Sequence, residues 1–157
     1  MVTIKGRIKA ISVSDKKGMR KTNVPEAELK IDYGIVGDAH AGNWHRQVSL
    51  LSFESIAEFV ARGASVSPGD FAENITTEGF DLRQLKIGDK LLIGGNIELE
   101  ITQSGKRCHG RCEIFKQLGD CIMPREGIFA KVTNGGLINV GDEIEVINDK
   151  DSNTDSQ

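Results

Sequence analysis

Lys90-Leu91-Leu92-Ile93 and residues 97–102 flank Gly94-Gly95-Asn96, and this arrangement restricts the chain more than any other stretch. Adjacent glycines take up left-handed backbone without steric penalty, so two short apolar runs joined this way fold as a β-hairpin. Ile97, Leu99 and Ile101 alternate with Glu98, Glu100 and Thr102, which gives the second strand one apolar and one wet face. The same pattern recurs along the chain. Residues 3–12 set Ile4, Ile8 and Ile11 among charges in an imperfect period of two, and residues 26–32 alternate strictly after Pro25. Residues 128–132 and 143–147 read as closing strands, separated by Asn134-Gly135-Gly136 and Gly141-Asp142. Ile87-Gly88-Asp89-Lys90 and Val140-Gly141-Asp142-Glu143 each introduce a strand with a similar turn.

One helix stands out at residues 52–62. Phe53, Ile56, Ala57 and Val60 recur at helical spacing, with Phe59 beside them; Ser52 is the candidate N-cap and Gly63 the stop. This apolar stripe is expected to pack into the core. Residues 110–118 predict a second short helix, with Ile114, Phe115 and Leu118 on its apolar side. Short strands, antiparallel signals and 18 glycines point to a mostly β, barrel-like domain (β-rich α+β) with one or two short helices. A single domain is expected over residues 1–147, followed by a polar tail, 148–157, without the means to pack and expected to be disordered.

Several function classes are disfavoured. A pI near 5.6 argues against nonspecific nucleic-acid binding, which needs a strongly positive surface. No window approaches the ~18 apolar residues of a membrane span, and the N-terminus lacks the apolar run of a signal peptide, so a cytoplasmic protein is expected.

All three cysteines, Cys108, Cys112 and Cys121, fall in one stretch, SGKRCHGRCEIFKQLGDCIMPREG. An odd number of thiols in a reducing compartment points to chemistry or metal binding rather than a disulfide framework. From Ser104 to Lys131 the six cations Lys106, Arg107, Arg111, Lys116, Arg125 and Lys131 face three acids, Glu113, Asp120 and Glu126, inside a chain of net charge −3. Cations beside a thiol stabilise its thiolate and raise the fraction able to attack sulfur or bind a soft metal. A reactive thiol near an anion-binding surface follows from these residues, while Cys121, beside Ile122 and Met123, reads as a small buried hydrophobe.

Upstream, residues 34–47 are dense in glycine and hydrogen-bonding side chains. His40, His45 and Arg46 could meet an anion there; loop histidines bonded to backbone are the alternative, and Trp44 reads as a packing anchor. In Ser67-Pro68-Gly69-Asp70-Phe71-Ala72-Glu73-Asn74-Ile75, the Glu73-Asn74 pair could contact a ligand or bond to loop backbone.

Taken in order, Gly34-Ile35-Val36-Gly37-Asp38, Gly69-Asp70-Phe71-Ala72-Glu73-Asn74-Ile75 followed by Gly79, Ile87-Gly88-Asp89, the cysteine stretch, and Gly127-Ile128-Phe129-Ala130-Lys131-Val132 leading to Gly141-Asp142 resemble the MOSC domain, named for the C-terminal domain of molybdenum cofactor sulfurases. The resemblance spans roughly residues 5–147. It implies a β-barrel-like fold, molybdenum cofactor (molybdopterin) binding, and sulfur carried as a persulfide on a cysteine that best matches Cys112, with Cys108 second; Cys112 would also be the molybdenum ligand. Small members carry a run like Gly105-Lys106-Arg107-Cys108-His109-Gly110-Arg111-Cys112 and a turn like Pro124-Arg125-Glu126-Gly127. On this reading Arg107, Arg111 and Arg125 are available to the cofactor's phosphate. His109, His40, His45, Arg46, Glu73 and Asn74 complete the expected cofactor-binding set.

The resemblance also has departures. The chain has no room for the pyridoxal-phosphate-dependent cysteine desulfurase domain of full sulfurases, and it lacks the N-terminal domain of the reductase members. A stand-alone MOSC protein is the expectation. Pyridoxal phosphate is not expected, since no lysine is identifiable as its Schiff-base partner. Expected partners are the cofactor and a cysteine desulfurase or molybdoenzyme, with neither nucleic acid nor membrane involved. The same thiol would serve a sulfur transferase, a carrier or a storage protein. The alternative from another class is a binding module with a structural zinc site formed by Cys108, Cys112 and Cys121 with His109, His40 or His45.

Overall fold

A computed structural model describes residues 4–17, 19–104 and 127–147. Its elements are β1 (Ile4–Val13), β2 (Thr22–Val24), β3 (Glu26–Lys30), β4 (Gly34–Ile35), β5 (Val48–Ser52), α1 (Phe53–Ala61), β6 (Ile75–Glu78), a 3₁₀ turn (Leu82–Gln84), β7 (Lys90–Ile93), β8 (Ile97–Ser104), β9 (Ile128–Asn134), β10 (Gly136–Asn139) and β11 (Glu143–Ile147). Strands pair in the order β11-β7-β8-β9-β5-β6-β1, and β1 returns to β11, so seven strands close into a barrel. Closure leaves these strands no open edge. β2 extends from β1, and β10-β3-β4 form a separate small sheet.

Alternation turns the apolar residues inward. In the β7–β8 hairpin Leu91 opposes Leu99 and Ile93 opposes Ile97, all four buried. Gly94 and Gly95, with φ of 61° and 85°, make the turn. Ile8, Ile11, Leu50, Ile75, Ile101, Ile128, Ala130, Val132 and Ile144 join them in the barrel interior.

The barrel is antiparallel except at one seam. β5 and β6 run parallel, Leu50 opposite Ile75 and Ser52 opposite Thr77, and α1 is the crossover between them. A parallel pair needs such a connection because a hairpin cannot reverse direction twice. Ser52 ends β5 and caps α1, its hydroxyl accepting from the Ser55 amide at 3.0 Å. At the far end Gly63 (φ 102°) follows the Arg62 cap.

The helix corrects the expected stripe. Ser55, Ile56 and Phe59 are the residues it buries, whereas Val60 is 44% exposed, Ala57 is exposed and Phe53 is half-buried under the Lys9 ammonium. Because α1 leaves β5 with no intervening linker, strand direction and the Ser52 cap fix its rotation. The face so selected meets Leu51, Phe71, Ala72 and Phe129 in a second cluster outside the barrel, with Phe59 edge-on to Phe71 at 5.4 Å. The expected helix at 110–118 and the polar tail at 148–157 lie outside the described residues. Among those described, no helix is long and apolar enough to cross a membrane.

Candidate functional site

Residues 105–126 join β8 to β9, and the chain enters and leaves this stretch on paired positions, since Ser104 lies opposite Ile128. The rung before it pairs Gln103 with Phe129. Cys108, Cys112, Arg107, His109, Arg111 and Arg125 fall within 105–126, outside the described residues, as does Cys121. Of the basic stretch counted in the sequence, Lys131 is described, and its ammonium is 3.9 Å from Glu100.

The loop between β4 and β5 reaches this rung. The Thr102 hydroxyl donates to the His45 carbonyl, and His45 Nε2 is 2.9 Å from Gln103 Oε1. The next side chain, Arg46, packs its guanidinium carbon 4.7 Å from the centre of the Trp44 ring and 5.6 Å from that of Phe129. Trp44 is itself fixed, its indole N–H donating to the His40 carbonyl at 2.7 Å. Gln47 closes the loop by accepting from the Val132 amide at 3.0 Å. Two expected candidates, His45 and Arg46, therefore stand beside the strand ends from which the cysteine stretch departs.

His40 belongs to a second group at the other end of the loop. Lys21 Nζ is 2.7 Å from Asp38 Oδ1 and 3.0 Å from His40 Nδ1. The Lys21 and Asp38 side chains have no exposure, and His40 retains 14%. Asp38 also accepts from the amides of Ser14 (3.1 Å) and His40 (3.0 Å). Burial pushes the Asp38 carboxyl up, but the Lys21 ammonium, through its hydrogen bond and its charge, and the His40 backbone amide outweigh it, holding Asp38 well below the usual carboxylate range. An ammonium can only donate. Nδ1 of His40 is therefore the acceptor and Nε2 carries the ring proton; the alternative Nδ1–H to Asp38 would span 3.6 Å, too long for a hydrogen bond.

Glu73 and Asn74 are wholly buried. The Asn74 side chain donates to the Ser12 carbonyl (3.1 Å) and accepts from the amide (3.0 Å) and hydroxyl (3.1 Å) of Ser49, tying β1 to β5. Glu73 accepts from the Phe71 amide (3.3 Å) and the Thr76 hydroxyl (3.0 Å). Burial dominates its titration and pushes the carboxyl up to about 7, against those bonds and the backbone of Gly69 and Glu73. Of the two uses open to this pair in the sequence, bonding to loop backbone is the one observed. The same loop presses on Lys21: the Lys21 amide donates to Gly69 O at 2.8 Å, and a Cβ at Gly69 (φ 95°) would come within 2.6 Å of Lys21 O.

Lys21, Asp38, Gln103 and Phe129 had not been singled out as site residues. Asp38 ended a recognised motif, but nothing in the sequence pairs it with a lysine seventeen positions upstream. Among the described residues no group of three His, Cys, Asp or Glu side chains could hold a metal ion; the zinc alternative draws on cysteines outside them.

A profile of the MOSC domain matches residues 37–145. No curated protein matches by sequence. Among solved structures, the YuaD protein from Bacillus subtilis aligns with a TM-score of 0.77 at 22% identity, covering 92% of this chain and 97% of that one. YiiM from Geobacillus stearothermophilus gives 0.69 at 19% identity, over 90% of this chain and 75% of its own, and YiiM from Escherichia coli gives 0.64 at 16%, over 92% and 74%. At these identities the likeness is one of fold.

Proposed function

Because this chain belongs to the MOSC domain family, we propose that it binds molybdenum cofactor and carries sulfur on a reactive cysteine, Cys112, with Cys108 as its partner thiol. The observation that carries this reading is the convergence of His45 and Arg46 on the Gln103–Phe129 rung, next to the point where the three-cysteine stretch leaves the barrel. The family's link to molybdenum cofactor sulfurase-like proteins supports it.

The residues fit such a ligand at its anionic end. Arg46 offers a half-buried guanidinium, and Arg107, Arg111 and Arg125 belong to the adjoining stretch. A cysteine thiolate suits the soft end. When bound, the cofactor would supply a metal with sulfur ligands; the chain's own work is to bind, orient and supply sulfur.

As a carrier, the Cys112 thiolate attacks the outer sulfur of a donor persulfide. One S–S bond forms as another breaks, and the donor departs as a thiolate. Attack of the Cys108 thiolate on Cys112 Sγ then releases hydrosulfide and leaves a disulfide, which a dithiol reductant reopens. A cysteine desulfurase is the proposed donor, a molybdoenzyme the proposed recipient, and the cytoplasm the proposed setting.

Native mass spectrometry of wild type, Cys112→Ala and Cys108→Ala, after incubation with molybdenum cofactor and separately with a persulfide donor, tests this. A cofactor-sized or one-sulfur adduct lost in Cys112→Ala supports it. Bound zinc with neither adduct overturns it.

A further inference from the structure

Arg46 has a charge the described protein does not use. Among the described residues its Nε, sealed from solvent, has no hydrogen-bond partner and its guanidinium no ion pair. The two rings that hold it, Trp44 and Phe129, attract positive charge through their faces but offer no oxygen to the N–H donors. A second cation shares the indole: Lys17 Nζ is 4.8 Å from the Trp44 ring centre, and Lys17 also has no ion pair among the described residues. Two like charges around one ring repel each other, and burying a guanidinium nitrogen without an acceptor is unfavourable. An oxyanion held by the terminal nitrogens of Arg46 and by the Lys17 ammonium offsets the like-charge repulsion.

The support behind Arg46 is rigid. Phe129 is 2% exposed and packs with Leu51, Ile56, Phe59 and Phe71 beneath α1, and Trp44 is pinned by its bond to His40. A side chain oriented in advance loses less freedom when it binds, and a guanidinium fork matches two oxygens of a phosphate at once.

From these residues we infer that Arg46 and Lys17, set around Trp44, form a phosphate-binding site, taking either free phosphate or the terminal phosphate of a monoester. This deepens the proposed function by assigning the anionic end of its ligand to these two residues, and it rests on that reading only for the identity of the larger ligand.

Trp44 is the only tryptophan of the chain, so its emission reports directly on the site. Inorganic phosphate and methyl phosphate are titrated against the full chain by fluorescence, with isothermal calorimetry as a second readout and sodium chloride at matched ionic strength as control. A saturable response is expected, absent with chloride, and tighter methyl phosphate binding would identify the monoester as the favoured source. Arg46→Lys should weaken binding about tenfold or more, since an ammonium cannot form the fork. Lys17→Met, an exposed change that leaves packing intact, should weaken it several-fold. Equal binding in wild type, Arg46→Lys and Lys17→Met, or no response beyond chloride, overturns the site. The two proposals fail separately: a sulfur adduct on Cys112 without phosphate binding sinks this inference alone, and phosphate binding without any adduct sinks the sulfur-carrier reading alone.

Discussion

Lys21 Nζ stands 2.7 Å from Asp38 Oδ1 with both side chains sealed from solvent. A buried ion pair adds little over an apolar pair of equal volume, yet removing one partner strands the other charge. Lys21→Met should therefore destabilise the fold by about 3–5 kcal/mol, and Lys21→Met with Asp38→Asn together by less than the sum of the two. Urea denaturation of the four proteins in the cycle measures it. Additive effects would show that the pair is not coupled.

The donor chemistry of Lys21 also fixes a tautomer. Nitrogen-15 NMR of His40 in the neutral ring is expected to show Nδ1 without a proton and Nε2 protonated, with the preference weakened in Lys21→Met. A protonated Nδ1 in the wild type would contradict the arrangement.

Glu73 makes stability fall as pH rises. Its folded pKa, about 7, exceeds the ordinary 4.5, so the folded state holds the proton more tightly; the contribution is complete below 4.5 and is lost by the time pH passes 7. The difference amounts to about 3 kcal/mol between pH 4.5 and 7. Glu73→Gln, which resembles the protonated form, should remove this dependence. Urea midpoints of both proteins at pH 5 and pH 8 check it, and parallel changes in the two would rule it out.

Asn74 ties β1 to β5 through three bonds, to Ser12 and Ser49. Asn74→Ala leaves those groups buried without partners and should cost about 3 kcal/mol. Asn74→Asp should be at least as damaging, because it turns an acceptor toward the Ser12 carbonyl. Thermal unfolding of both variants is the measurement.

The sequence revealed elements with a period and concealed those without one. β7 and β8 were legible because alternation and a glycine turn agree. β5 was not, because all five residues of Val48–Ser52 are buried and its two serines, Ser49 and Ser52, are buried with the rest instead of alternating along a wet face. Its parallel pairing with β6 was hidden for a related reason: the crossover helix reads as an isolated amphipathic segment until its two strands are seen side by side. The helix was correctly found and wrongly rotated, since periodicity cannot say which of two overlapping apolar faces, Phe53–Val60 or Ile56–Phe59, the preceding strand turns inward.

At the candidate site, residue types were legible and partnerships were not. His45 and Arg46 could be picked out as groups able to meet an anion. That Arg46 would lean on Phe129, more than eighty positions later, depends on β5 and β9 being neighbours. Glu73 and Asn74 look in sequence like ligand contacts because buried polar residues and binding residues are drawn from the same alphabet. Burial decided between the uses.

The pairing of Ser104 with Ile128, which flank residues 105–126, sets these two strand positions about 5 Å apart, the spacing of opposed residues on neighbouring antiparallel strands. A barrel that presents its stumps this close imposes hardly any requirement on what is spliced between them. A short turn grafted from Ser104 to Ile128 should yield a folded seven-strand barrel stripped of every thiol. The closure of the barrel and the residues strung between Ser104 and Ile128 are in this sense separable.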